Sequence, residues 1–107
     1  MIDHLIPGVE SLVDLEHKTI VNKYGNGYHS AHEAHAVLRE EVEEAKEQLA
    51  YVEATLHNLW QSVRADDPPD RVITRLHQME HYAKQLAAEA VQVAAVARRW
   101  RGGLQGE

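Results

Sequence analysis

Two stretches of this 107-residue chain carry apolar residues at alternating spacings of four and three, which limits the fold to paired long helices. The first stretch is Leu38, Val42, Ala45, Leu49, Val52, Leu56, Leu59, Val63. The second is Val72, Leu76, Met79, Ala83, Leu86, Ala90, Val93, Ala97, Trp100. Between them stands Asp66-Asp67-Pro68-Pro69, whose prolines break a helix and turn the chain, so the two helices run antiparallel as a hairpin. Ser30 with Glu33 forms a Ser-x-x-Glu capping box that predicts the start of the first long helix, which continues to about Arg64. The second opens after Pro68-Pro69 and runs to about Arg101, where Gly102-Gly103 is expected to stop it. A shorter helix from about Pro7 to Tyr24 precedes both and ends at Gly25-Asn26-Gly27. Its apolar set, Ile6, Val9, Leu12, Val13 and Ile20, is ragged, which suits a cover packed on something else. The fold class is all-α, with three helices, no strands and one domain over residues 1–107.

Helices of more than 30 residues would extend about 50 Å at 1.5 Å per residue, too long for a compact monomer of three helices. The run LAAEAVQVAAVA, residues 86–97, is apolar almost all round and is interrupted only by Glu89 and Gln92. A helix apolar on every side is buried on every side, and one partner helix plus a short cover cannot do that. The expectation is that this end packs against a second subunit, building a four-helix core by homodimerisation, as a dimer or a dimer of dimers.

Glu41, Glu44, Glu89 and Gln92 occupy equivalent places in the two repeats: Glu41 and Glu89 take heptad position g, and Glu44 and Gln92 take c. With the turn centred near residue 66 or 67, residue 44 comes level with about 89, and 41 with about 92. Glu-x-x-Glu on its own is common on solvated helix faces. Glu89, isolated in an apolar run and level with the first pair, is what sets this pattern apart. Like-charged carboxylates brought together cannot satisfy one another. Grouped carboxylates bind hard divalent cations, and Mg2+ takes one or two of them together with substrate phosphates. A metal so held clamps phosphate oxygens and lowers the pKa of an attacking water, the requirements of a phosphoanhydride hydrolase.

Other chemistries fit less well. A formal charge of -6 and an isoelectric point near 5.7 argue against a nucleic-acid polymer as partner. The absence of Cys excludes thiolate zinc sites and disulfides. No stretch reaches the roughly 18 apolar residues of a membrane span and no leader pattern opens the chain, so no membrane partner is expected and a cytoplasmic protein is the default. His77-Gln-Met-Glu80-His81 fits an H-x-x-E-H string, yet both His residues take outward heptad positions and no third ligand accompanies them. His29, His32 and His35 more simply gather at a polar helix end. Levelling also brings Arg98, Arg99 and Arg101 near that end, where free amides attract anions, about 14 Å from residue 41, a span a nucleotide could bridge. Cations near a helix C-terminus are equally explained by the helix dipole. Glu33 can be read as a cap or as a ligand.

LREEVEE at 38–44 and LAAEAVQVAA at 86–95 resemble the all-α nucleoside triphosphate pyrophosphohydrolases of the MazG-like group. HSAHEAHAVLREEVEEA with EAVQVAAVARRW looks like the small members found in phages and prophages, and the resemblance covers residues 29–101. That family's signature is Glu-x-x-Glu on one helix and Glu-x-x-Asp on another, holding Mg2+ against a triphosphate. By position, Glu41 and Glu44 match the first pair and Glu89 the second Glu, while Gln92 stands where the family has Asp. The resemblance implies that Glu41, Glu44, Glu89 and Gln92 form the metal site for Mg2+ or Mn2+. It implies Glu40 and Glu41 as catalytic residues, with Glu40 a candidate to orient the water; Glu33, Arg98 and Arg99 are expected as substrate contacts from the levelling of the helices instead. The implied reaction cleaves a nucleoside triphosphate to monophosphate and pyrophosphate. The alternative is a non-catalytic helical oligomerisation or interaction module with a vestigial carboxylate site.

Overall fold

The computed structural model describes residues 1–106. Among them are three α-helices and no strand: α1 Ile6–Tyr24, α2 Ala31–Arg64 and α3 Pro69–Leu104, with a single 3-10 turn, Asp3–Leu5, leading into α1. No helix is long and apolar enough to cross a membrane. The all-α expectation is met, and the helix bounds lie within a few residues of those expected.

The local signals act as physical chemistry requires. Ser30 Oγ accepts the Glu33 amide at 3.1 Å and opens α2. At its other end Asp66 adopts φ 52°, the left-handed conformation that ends a helix. The Asp67 amide then returns to the Ser62 carbonyl at 3.0 Å, and the Asp66 amide to Val63 at 3.2 Å. Pro69 opens α3, where a missing amide hydrogen costs nothing. Gly25, at φ 82°, closes α1 with its amide on the Val21 carbonyl.

The end of α3 departs from expectation. The helix continues through Gly102 and Gly103 to Leu104, and the left-handed residue beyond it is Gly106, at φ 77°. Gly103 serves a close approach instead: a Cβ there would stand 2.5 Å from the Gly27 Cα. The missing side chain lets the α3 backbone rest on the loop that joins α1 to α2.

The described residues divide into two compact units, residues 43–89 and residues 1–42 with 90–106. The first is the hairpin of α2 and α3 around the turn. The second holds α1, the start of α2 and the end of α3. In this second unit Arg98 donates from Nη1 to Asp14 Oδ1 at 2.5 Å and from Nη2 to Glu10 Oε1 at 2.7 Å, fastening α1 to α3. Arg99 donates to the carbonyls of Gly25 (3.0 Å) and Tyr24 (3.3 Å), and its guanidinium lies 4.1 Å from the centroid of the Tyr28 ring. Val13, Ala34, Ala95 and Val96 form its buried apolar centre.

The heptad seam is shifted from the expected one. In each long helix only half of the repeat turns inward. The d positions, Leu38, Ala45, Val52 and Leu59 on α2 and Val72, Met79, Leu86, Val93 and Trp100 on α3, are all half-buried. The a positions, Val42, Leu49, Leu56 and Val63, and Leu76, Ala83, Ala90 and Ala97, are all exposed. The g positions replace them: Thr55 and Ser62 are buried, and Glu41, Gln48, Arg75, Tyr82 and Glu89 are half-buried. Two antiparallel helices share one contact line, so two of the three rows fill it and the third is left outside. The Thr55 hydroxyl meets burial by donating to the Tyr51 carbonyl at 2.8 Å.

Candidate metal centre

Glu41 and Glu44 lie one turn apart on α2, and the helix holds their carboxylates on one face. Glu89 comes from α3. In the hairpin unit Glu44 and Glu89 face each other, as the levelling about the turn requires. One carboxylate oxygen from each of Glu41, Glu44 and Glu89 lies within 4.8 Å of the others, and all three residues are half-buried. Among the described residues these are the only three His, Asp or Glu side chains gathered in this way.

The electrostatics match the crowding. The Glu89 carboxyl is held above its ordinary range, first by burial, then by the charge of Glu44, a hydrogen bond with Glu44 and the charge of Glu47. Without a counter-charge the cluster therefore resists full ionisation, and the cost falls on Glu89. A divalent cation would relieve the same repulsion by supplying positive charge. Hard carboxylate oxygens, without a thiolate and with no His in the group, suit Mg2+ or Mn2+ better than softer metals.

The other expected site residues stand differently. Gln92 is half-buried one turn beyond Glu89, whereas most other c positions of the two helices, such as Tyr51, Asn58, Gln78 and Gln85, are exposed. Glu40 is exposed and is not one of the three gathered carboxylates. Glu33 is exposed near the capped start of α2. Arg98 and Arg99 are engaged with α1 and the following loop as described above, so a phosphate would compete with Asp14, Glu10 and two backbone carbonyls for them.

Glu47 is the contributor that heptad reading passed over. It adds to the field at Glu89, and its Oε1 accepts from the Tyr51 hydroxyl at 3.2 Å. Tyr51 in turn packs on Tyr82 across the hairpin, with ring centroids 5.2 Å apart. The signal was the extension of Glu41-x-x-Glu44 by a further three residues to Glu47, which continues one helix face. His77 and His81 are exposed, in keeping with outward positions.

No protein-family model matches the chain, and no curated protein or solved structure shows significant similarity to it.

Proposed function

We propose that the protein is a magnesium-dependent nucleotide pyrophosphohydrolase of the MazG-like kind, acting as a homo-oligomer on a nucleoside triphosphate. The observation that carries this reading is the convergence of Glu41, Glu44 and Glu89 from two helices. Glu41, Glu44 and Glu89 would hold the cation, and Gln92 would add a neutral carbonyl oxygen. A bound Mg2+ or Mn2+ supplies charge for the phosphate oxygens and a water acidic enough to attack phosphorus. Within the chain, Glu41 and Glu44 fix the donor spacing through one helical turn. Glu89 would supply the third carboxylate from α3, and the cation's charge would offset the burial and the neighbouring charge that raise its pKa. Glu40, exposed next to Glu41 in the chain, would orient the water. The expected assembly is a homodimer, or a dimer of dimers, with a four-helix core, and the small enzymes of phage or prophage type are the members the sequence resembles.

A second reading is a non-catalytic helical interaction module. Gln92 favours it, because a neutral ligand in place of an acid lowers the charge that holds the metal. Pyrophosphate release over a panel of standard and modified nucleoside triphosphates separates the two. The enzyme reading expects Mg2+-dependent pyrophosphate from at least one of them and a loss of at least about a hundredfold in Glu41→Gln. If no nucleotide yields pyrophosphate while Gln92→Asp gains cation affinity, the interaction module is the better description.

A further inference from the structure

The loop that joins α1 to α2 holds Gly25-Asn26-Gly27, and the fold favours glycine after Asn26 for two reasons. Gly27 takes φ 70°, a left-handed backbone that side chains disfavour. It is also buried, and a Cβ built on it would stand 3.0 Å from the Gly103 Cα. The consequence is chemical. The side-chain amide of an asparagine is open to attack by the backbone nitrogen of the residue that follows, and glycine, with no Cβ, hinders that approach least.

We propose that Asn26 is a site of spontaneous modification in the folded protein, converting with age to an aspartyl or isoaspartyl residue. The Gly27 nitrogen bonds to the Asn26 side-chain carbonyl carbon and gives up its proton, ammonia leaves, and a cyclic imide closes. Water then opens the imide at either carbonyl. One opening restores the normal chain with a carboxylate side chain, and the other routes the backbone through the side chain, lengthening it by a methylene. One water is consumed and one ammonia released for each conversion, and no oxidant or reductant takes part. Neither step involves Glu41, Glu44 or Glu89.

The asparagines of the chain are Asn22, Asn26 and Asn58, and all are exposed, so exposure does not choose between them. Local structure does. Asn22 stands in α1 before Lys23 and Asn58 in α2 before Leu59, where helical geometry fixes the backbone and engages the following amide in the hydrogen-bond ladder. Asn26 lies outside both helices. A recess of about 250 Å³ borders it, lined by Asn26 and Gly27 together with Trp100 and Gly103, so water reaches the peptide bond although Gly27 is buried. The isoaspartyl product is the one the fold registers. Its longer backbone falls between two anchors: Gly25, whose carbonyl accepts from Arg99 Nε at 3.0 Å, and Gly27, whose backbone rests against Gly103. A methylene inserted between them displaces one anchor or the other, because close packing leaves no slack to absorb it. The recess then opens and Trp100 is uncovered. The loop is a one-way mark of the protein's age.

Ageing the intact protein at physiological temperature in heavy-oxygen water, followed by peptide mapping that separates the two linkages, tests this. Asn26 is expected to convert with uptake of one heavy oxygen, in a fraction that grows with time, while Asn22 and Asn58 stay amides. The aged sample should melt at a lower temperature than the fresh one and oxidise faster at Trp100. Asn26→Gln, whose longer side chain closes the ring far more slowly, should age without either change. Fresh Asn26→Asp, which carries the charge on a normal backbone, should melt no lower than fresh wild type. A folded wild type that keeps Asn26 intact over the time in which the same chain in urea converts overturns the proposal, and this result needs no variant to fold. So does conversion spread evenly over the three asparagines. Conversion confined to Asn26 that leaves melting and Trp100 oxidation unchanged would overturn the claim that the fold registers it.

Discussion

At residue scale the central figure is Glu89. It stands in a run of alanines and valines, opposite Glu44, and its carboxyl titrates above the ordinary range because burial and neighbouring negative charge both disfavour ionisation. A carboxyl whose pKa is raised on folding stabilises the protein at low pH, and that contribution disappears as pH rises through the raised value. In chelator, the melting temperature is therefore expected to fall between about pH 4 and neutrality by more in wild type than in Glu89→Gln, which has no proton to lose there. Saturating Mg2+ should reverse the wild-type decline at neutral pH. A wild type and a Glu89→Gln with parallel pH profiles would show that Glu89 is an ordinary surface acid. The glutamates themselves were legible in the sequence because a helical hairpin ties height to residue number, so a known turn places 44 beside 89. Glu47 and the Tyr51–Tyr82 contact were not, because they depend on how far each helix rotates about its axis, which the repeat leaves open within one heptad position.

At the scale of elements, the chain uses glycine in opposite ways. Gly8 lies within α1 with nothing within 4 Å of where a Cβ would go, while a Cβ on Gly103 would meet the Gly27 backbone at 2.5 Å. Gly8→Ala should stabilise the protein by about 0.5–1 kcal/mol, the ordinary cost of a glycine in a helix. Gly103→Ala gains the same propensity but forces the 25–30 loop away, and overpacking of this kind costs about 1–3 kcal/mol, so the expected net change is destabilising. Denaturant midpoints at one protein concentration check both signs, and a stabilised Gly103→Ala would contradict the close approach. Helix identity, the Ser30 cap and the proline turn were all readable, since each rests on local backbone chemistry. The continuation of α3 past Gly102-Gly103 was not readable, because a glycine that ends a helix and one that admits a neighbouring backbone look alike until the neighbour is placed. The seam was readable only in part for a related reason. A four-three repeat declares that two rows are apolar, and it does not say which of them faces the helix joined by the turn.

At the scale of the whole molecule, the hairpin unit leaves Leu49, Leu56, Val63 and Leu76 exposed, and Glu41, Glu44 and Glu89 gather three carboxylates in a chain whose net charge is -6. Cations bound at the cluster would reduce that charge. Whether the three carboxylates form a cation site is the claim on which the functional reading depends. Calorimetric titration of the intact protein with Mn2+ at neutral pH, in two buffers of different protonation enthalpy, tests it directly. The expected result is saturable binding of one ion per chain, lost in Glu44→Gln, with proton release that grows as the pH is lowered. Heats that do not saturate, or binding that Glu44→Gln leaves unchanged, would contradict it.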